Sequence, residues 1–295
     1  YPFFVSKHET TNAQLLRFLN GAQSDASGPS GRNLFFDTRG NIWLNPEMFP
    51  ARDEVFAIRN SRVSYDPAQP AGSRYGHVRS DDGSLPFKDH PASGLSWYGS
   101  VKYSNWLTLE SERGLAEQCY TEGTNANAWA PVTATNWPAG IFTPAERYLW
   151  LRQKGFRLPM VNSSAGTIST NDFNEFYKVS AWTGSTNAPY AFGRFTFDER
   201  DANYGRTWEG QGGTVRIGFF DGKTLVGKLK SRMNQNHYGV NDLSGNVDEW
   251  MNDFPTDGSS MERFVCGGSW FKPLPVLAAA SLSPPAATQP FRGFR

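Results

Sequence analysis

Two cysteines, four histidines and one acidic loop carry most of the chemistry that the 295-residue chain can offer. Cys119 and Cys266 either pair or lie buried as thiols. Two cysteines are too few for a disulfide scaffold, and free cysteine is among the most buried residue types, which favours buried thiols. His8, His77, His90 and His237 include no two at short ligand spacing, so a histidine-built metal centre finds no support. Neither a Gly-x-Ser-x-Gly elbow nor a phosphate-binding loop is present. The loop Ser244-Gly-Asn-Val-Asp-Glu249 is different. It sets carbonyls and carboxylates close together on a tight glycine turn, and hard cations take about six to eight oxygens, many from backbone. Glu249 either serves such a cation or caps or salt-bridges within the core.

The last stretch, Cys266-Gly-Gly-Ser-Trp270 through Gly293-Phe294-Arg295, has a rigid opening and a rigid close. Its middle holds Pro273, Pro275, Pro284, Pro285 and Pro290, so it reads as neither helix nor strand. Yet it is rich in Leu, Val, Phe and Ala, unlike a disordered tail, which is polar and charged. Apolar irregular backbone of this kind must either pack or present itself to a partner.

Several elements position these groups. Tyr1 to Val5 reads as a short strand. Leu15, Leu16, Phe18 and Leu19 give a helical stripe over Ala13 to Asn20, closed by Asn20-Gly21. Short strands follow at 33–37, 41–45 and 54–58, the first two joined by a hairpin turn at Arg39-Gly40-Asn41. A helix anchored by Trp97, Val101, Trp106 and Leu107 runs from Ser96 to about Arg113 and stops at Gly114. Thr143-Pro144 opens another, to Lys154 and Gly155. Asn171 or Asp172 caps a helix from Phe173 to Val179. Val215 to Phe219 and Phe264 to Cys266 read as strands. Basic and acidic residues number 29 and 28, with no basic stripe, so nucleic-acid binding has no electrostatic support. No apolar run reaches membrane-spanning length. Neither repeats nor a linker appear, and the reading is one irregular α+β domain over 1–295.

Several segments together resemble the formylglycine-generating enzyme (sulfatase-modifying factor) family, which carries a variant of the C-type lectin fold. They are Phe3 to Asn12 with Glu9-Thr-Thr-Asn, Ser96-Trp-Tyr with Tyr103-Ser-Asn-Trp106, Phe156-Arg-Leu-Pro159, Phe173-Asn-Glu-Phe-Tyr177, Tyr190-Ala-Phe-Gly193, Tyr238 to Trp250, Cys266-Gly-Gly-Ser-Trp270 and Gly293-Phe-Arg295. Outside the resemblance lie insertions near 21–89 and 160–172. The family's enzymes oxidise a substrate cysteine with a copper-binding pair of cysteines placed shortly after Gly-Gly-Ser. Here 271–292 contains no cysteine, so the resemblance implies the fold without its catalytic thiols. A related branch, the iron-dependent sulfoxide synthases, needs several metal-binding histidines, which the four present do not supply at ligand spacing. For calcium, the resemblance implies the carbonyls of Gly245 and Val247 with the carboxylate of Glu249, and a weaker second site at Asp221-Gly222.

The chain also resembles the variable proteins of diversity-generating retroelements, which share this fold and vary between Gly-Gly-Ser-Trp and Gly-Phe-Arg. In that group, randomising the first two bases of Asn codons yields Phe, Leu, Pro, Ser, Thr, Ala and Val, the set that dominates 271–291. The resemblance implies a variable segment near 270–292. Its candidate ligand-binding residues are Trp270, Phe271, Leu274, Val276, Leu277, Leu282 and Phe291. Ala278 to Ala280 are small enough to pack, and Lys272 and Gln289 fall outside the codon set and read as fixed positions. The expectation is a non-enzymatic, monomeric display protein that binds a protein or surface ligand. Its place is outside the cell, on the cell surface or in a phage particle. The alternatives are a divergent oxidase of the enzyme family and a structural subunit of a phage or surface assembly.

Overall fold

A computed structural model describes residues 2–46, 53–164, 173–205, 213–274 and 281–295. Helix α1 (Asn12–Ser24) starts at a capping box, in which the Thr11 hydroxyl accepts from the Gln14 amide and the Gln14 side chain accepts from the Thr11 amide. Leu15, Leu16, Phe18, Leu19 and Ala22 are buried along one face. The helix does not stop at Asn20-Gly21 as the sequence suggests. A Cβ on Gly21 would meet the Trp106 indole nitrogen at 3.4 Å, an ordinary contact, and the helix continues through this glycine to Ser24. Strands β1 (Phe35–Phe36), β2 (Ile42–Trp43) and β3 (Glu54–Phe56) form an antiparallel sheet. The β1–β2 turn uses Gly40 at φ +86°, where an L side chain is strained. Hairpin β4 (Val63–Tyr65) with β5 (Tyr75–His77) follows.

Helix α2 (Trp97–Glu110), capped by Ser96, is buried almost all round. Its one buried cation, Lys102, therefore needs partners, and its Nζ donates to Glu122 at 2.6 Å and to the carbonyls of Pro29 and Arg32. Strands β6 (Tyr120–Thr121) and β7 (Ala130–Pro131) pair beside it. Helix α3 (Pro144–Trp150) has a Thr143–Glu146 capping box and ends four residues short of the expected Lys154. Gly155 is not its stop signal: a Cβ there would lie 2.0 Å from the Glu117 carbonyl oxygen. Helix α4 (Glu175–Ala181) is capped by Asn174, whose side chain accepts from the Tyr177 amide. The expected caps Asn171 and Asp172 lie outside the described residues.

Two expected strands are absent. Residues 2–5 have no ladder partner, although Phe3 and Val5 still turn onto a small core while Phe4 is exposed. At 215–219 the chain turns instead, with Gly218 at φ +64° and the Val215 backbone bonded to the Asn246 side chain. A last hairpin, β8 (Leu225–Val226) with β9 (Leu229–Lys230), precedes the central sheet. That sheet comprises β10 (Asp248–Trp250), β11 (Arg263–Cys266), β12 (Ser281–Ser283) and β13 (Arg292–Gly293), in the order β12-β11-β10-β13. β10 runs antiparallel to β11 and parallel to β13.

The segment after Pro159 is tied down at both sides. Arg157 forms a bidentate pair with Glu175, at 2.5 and 2.7 Å, which holds α4 against the Phe156-Arg-Leu-Pro159 segment. Asp253 accepts from the amides of Val161 and Asn162 and pairs with Arg147. Residues 165–172 lie outside the description.

Consecutive residues of β10 point to opposite faces. Glu249 receives Arg295 through both oxygens, Nε at 2.9 and 3.1 Å and Nη2 at 2.6 Å, and both side chains are 1% exposed. Arg295 also donates to the carbonyls of Ser6 and Lys7, which ties the first residues to the last. Just upstream, Asn246 holds φ +67° and acts as a hub. Its side chain donates to Glu9 and to the Val215 carbonyl and accepts from the Val215 amide and Asn203. Its own carbonyl accepts from Trp270.

The second Glu9 oxygen is buried without a partner. Burial, then the Asp242 carboxylate, holds Glu9 well above the usual carboxylate range, with Arg295 opposing. A carboxyl whose pKa is raised by folding contributes stability at low pH and loses it as pH climbs from its unfolded value through the raised one. Glu9→Gln should therefore gain on the wild type as pH rises from 5 to 8 in urea unfolding; a difference that stays constant across this range would contradict the assignment. Arg295→Ala strands Glu249 as a buried charge and should cost about 3–5 kcal/mol. A loss under 1 kcal/mol in the same measurement would show that the pair is not the closure described.

Candidate binding surface

The tail leaves β11 through Gly267 at φ +94° and Gly268 at φ +76°. The Gly267 carbonyl accepts from the Gly245 amide at 2.8 Å, so the Gly-Gly turn and the Ser244-Gly-Asn loop are zipped together. Gly245 itself needs φ +91°, and a Cβ there would lie 2.7 Å from the Asn203 carbonyl oxygen. The scaffold then grips the tail largely by its main chain. The Lys272 carbonyl accepts from Gly205 at 2.7 Å, Pro285 from Trp97 at 2.9 Å, Gln289 from Gly94 at 3.3 Å and Phe291 from Asp248 at 2.9 Å. The Thr288 carbonyl accepts from Asn60 Nδ2 at 2.9 Å.

Three side chains of the tail add to this grip. Lys272 Nζ lies 3.0 Å from Asp248 Oδ1 and donates to Ser281 at 2.9 Å. Burial pushes the Asp248 carboxyl up and Lys272 opposes the shift. Thr288 donates to Glu54 at 2.6 Å. Arg292 donates to the Ser283 hydroxyl at 2.5 Å and stands over the Trp250 ring, 4.7 Å from its centroid. Lys272 thus has side-chain partners, and Gln289 is held through its backbone. Ser283, Thr288 and Arg292 were not singled out from the sequence, and Asp248 was weighed only as part of the acidic loop. Thr288 meets Glu54 and Arg292 stands over Trp250, at separations along the chain that no local pattern reveals.

The expected ligand-binding residues divide. Phe271 and Leu274 are exposed, at 43% and 49%. Phe271 stacks on Phe291, with ring centroids 4.9 Å apart and planes at 10°, and Trp270 meets both rings edge-on. Leu282 sits in β12 opposite Phe264 and packs against the smaller core, so it belongs with the scaffold. Its presence in a strand corrects the expectation that the tail has none. The prolines stand outside 281–283, and an edge strand needs a partner on one side only. Val276 and Leu277 lie outside the described residues, as do Ala278 to Ala280.

Neither cysteine fits the family's copper chemistry. Cys119 lies in the larger core and Cys266 in the smaller, both free and buried. Burial pushes the Cys119 thiol up to about 12 and raises Cys266 as well, so thiolate, the form that takes Cu(I), is suppressed at both. The calcium set fits no better. Both Glu249 oxygens are occupied by a guanidinium, whose charge opposes a cation at the same carboxylate. Asp221 accepts from the Lys223 and Thr224 amides in a local turn. Among the described residues no group of three or more His, Cys, Asp or Glu is placed to hold a metal. Burial depresses His90 to about 4, where it meets the Thr214 hydroxyl.

A second concavity, of about 740 Å³, lies between Phe3, Val5, Tyr177, Trp182 and Tyr238. It draws on three separate segments, so sequence spacing gave no sign of it. No helix among the described residues is long and apolar enough to cross a membrane.

The model of the sulfatase-modifying factor enzyme 1-like domain matches residues 1–295. Among solved structures, CarF is 17% identical with a TM-score of 0.49, over 98% of this chain and 83% of its own. Treponema denticola variable protein 1 is 20% identical with a TM-score of 0.43, over 74% and 73%. PvdO from Pseudomonas aeruginosa is 18% identical with a TM-score of 0.36, over 78% and 68%. No curated protein sequence matches. With its mixed α+β architecture and a match along its full length, the chain belongs to the sulfatase-modifying factor enzyme 1-like domain family.

Proposed function

We propose that the chain is a non-enzymatic binding protein whose C-terminal tail, from Trp270 to Arg292, forms a ligand-contacting surface diversified by a retroelement. One observation carries this reading: the tail is divided into gripped and presented positions. Main-chain carbonyls and the side chains of Lys272, Thr288 and Arg292 hold it to the scaffold. Between them Phe271 and Leu274 face solvent, with Phe291 stacked beneath Phe271. Rigid apolar and aromatic anchors on a preorganised loop lose little entropy on binding, which is how a small patch reaches useful affinity. The suppressed thiolates of Cys119 and Cys266 speak against an oxidase. The partner is a protein or surface ligand met outside the cell or on a particle, and binding needs no calcium at the Ser244–Glu249 loop.

Three measurements test this. In the genome, a nearby near-identical repeat should differ from the tail-coding sequence only at adenine positions, beside a reverse-transcriptase gene; without such a repeat the diversification reading falls. In the protein, Phe271→Asn and Leu274→Asn should each change stability by less than about 1 kcal/mol. Lys272→Ala, which uncovers Asp248, should cost about 2 kcal/mol. If the exposed positions proved as costly as Lys272, the tail would be core and not display. Calcium titration by calorimetry should give the same heats for the wild type and Glu249→Gln, and a calcium-specific heat lost in the variant would restore the cation site.

A further inference from the structure

Three buried arginines of the fold have carboxylate partners: Arg147 with Asp253, Arg157 with Glu175 and Arg295 with Glu249. Arg263, the first residue of β11, has none among the described residues, although it is 4% exposed. Its guanidinium lies over the rings of Trp97, Trp137 and Phe254, at 4.6, 4.8 and 5.2 Å from their centroids. Nη1 donates to the Met261 carbonyl at 2.6 Å. Nε is buried without a partner, and no described residue accepts from Nη2. Burial lowers its pKa to about 10, which leaves it charged at neutral pH. A buried charge without a partner is costly, and a planar fork with free donors matches a planar oxyanion.

The same arginine lines a cavity of about 320 Å³. Tyr98, Trp137, Pro138, Met261 and the tail residues Pro284 and Pro285 make its other walls, with Glu262 at one side. The walls are mostly apolar, and the Tyr98 ring brings a hydroxyl that no described residue bonds. This combination differs from the exposed Phe271 patch: it is a slot with one cation in it. We propose that this cavity is a binding site for the carboxylate of a small aromatic or aliphatic acid, held by Arg263 with help from the Tyr98 hydroxyl. The ring walls take the apolar body, and the half-buried Glu262 weakens the site by its charge. Arg263 belongs to β11, so the site stands whether or not the neighbouring tail residues vary.

Calorimetry with phenylacetate and its neutral amide tests the assignment. The acid should bind and the amide should bind at least about tenfold more weakly, the scale of a lost hydrogen bond to a charged group. Tyr98→Phe should weaken the acid by a few fold, and Arg263→Lys by about tenfold or more. Glu262→Gln should tighten it, a sign that loss of structure cannot mimic, and so keeps the test valid even if Arg263→Lys folds poorly. N-Acetylphenylalanine compared with phenylacetate separates a peptide chain end from a free acid; whichever binds tighter names the source. Equal affinity for acid and amide, or no response to Glu262→Gln together with none to Tyr98→Phe, overturns the proposal.

Discussion

The closure of the Glu249 carboxylate on the Arg295 guanidinium sets the geometry on which the other contacts rest. It lies on β10, which reaches both ends of the tail. Glu249 faces one way and holds the last residue and, through Arg295, the carbonyls of Ser6 and Lys7. Asp248 faces the other way and holds Lys272 at the start of the tail. The parity of a strand thus assigns one residue to each end of the loop. Because the two ends are fixed on adjacent residues, the entropy of closing the loop is met by the scaffold. That entropy grows only slowly with loop length, so a long excursion between the two ends costs the fold little more than a short one.

Several buried charges of the fold are paired, and among the described residues others have no opposite charge. Lys102 with Glu122, Arg157 with Glu175 and Arg147 with Asp253 each join a helix or its flank to a distant loop. Such pairs fix geometry more than they add net stability, since desolvation offsets much of their attraction. Glu9 and Arg263 depart from this pattern. Glu9 shares its surroundings with Asp242 and Glu249 and is held toward its neutral form. Arg263 stays charged because three aromatic faces stand in for a carboxylate, an arrangement that stabilises a cation without using all of its donors.

What the sequence revealed follows from the range of each interaction. The helices at Leu15–Leu19 and Trp97–Leu107 were legible because periodic apolar positions are local, as are the openings at Ser96 and Thr143. Their ends were less so: Gly21 and Gly155 look like stop signals, but α1 runs on past the first, and a side chain at the second would strike the Glu117 carbonyl. The expected strands at 2–5 and 215–219 fail for a related reason, since alternation describes which side chains turn inward and not whether a partner strand exists. In the site, Lys272 stood out by departing from the residue set around it. Thr288 and Arg292 did not, because Glu54 and Ser283 give them meaning only after folding. The loop carboxylate Glu249 left two outcomes open, and the guanidinium it pairs with lies 46 residues away in sequence.

The way the tail is gripped bears directly on how variable it can be. Of the contacts that hold it, those at Lys272, Pro285, Thr288, Gln289 and Phe291 use carbonyl oxygens, which every residue type has. A substitution at Pro285 or Phe291 leaves those hydrogen bonds available, so long as the new residue accepts the same backbone angles. The contacts that do depend on side-chain identity are few, and they cluster where the tail enters and leaves the sheet: Lys272 on Asp248, Thr288 on Glu54 and Arg292 on Ser283. Glu54 and Asn60 both bond Thr288, so the segment around β3 acts as a brace for the tail. A loop held by its main chain and keyed at a few side chains still presents Phe271 and Leu274 to solvent, which is what the proposed binding surface requires.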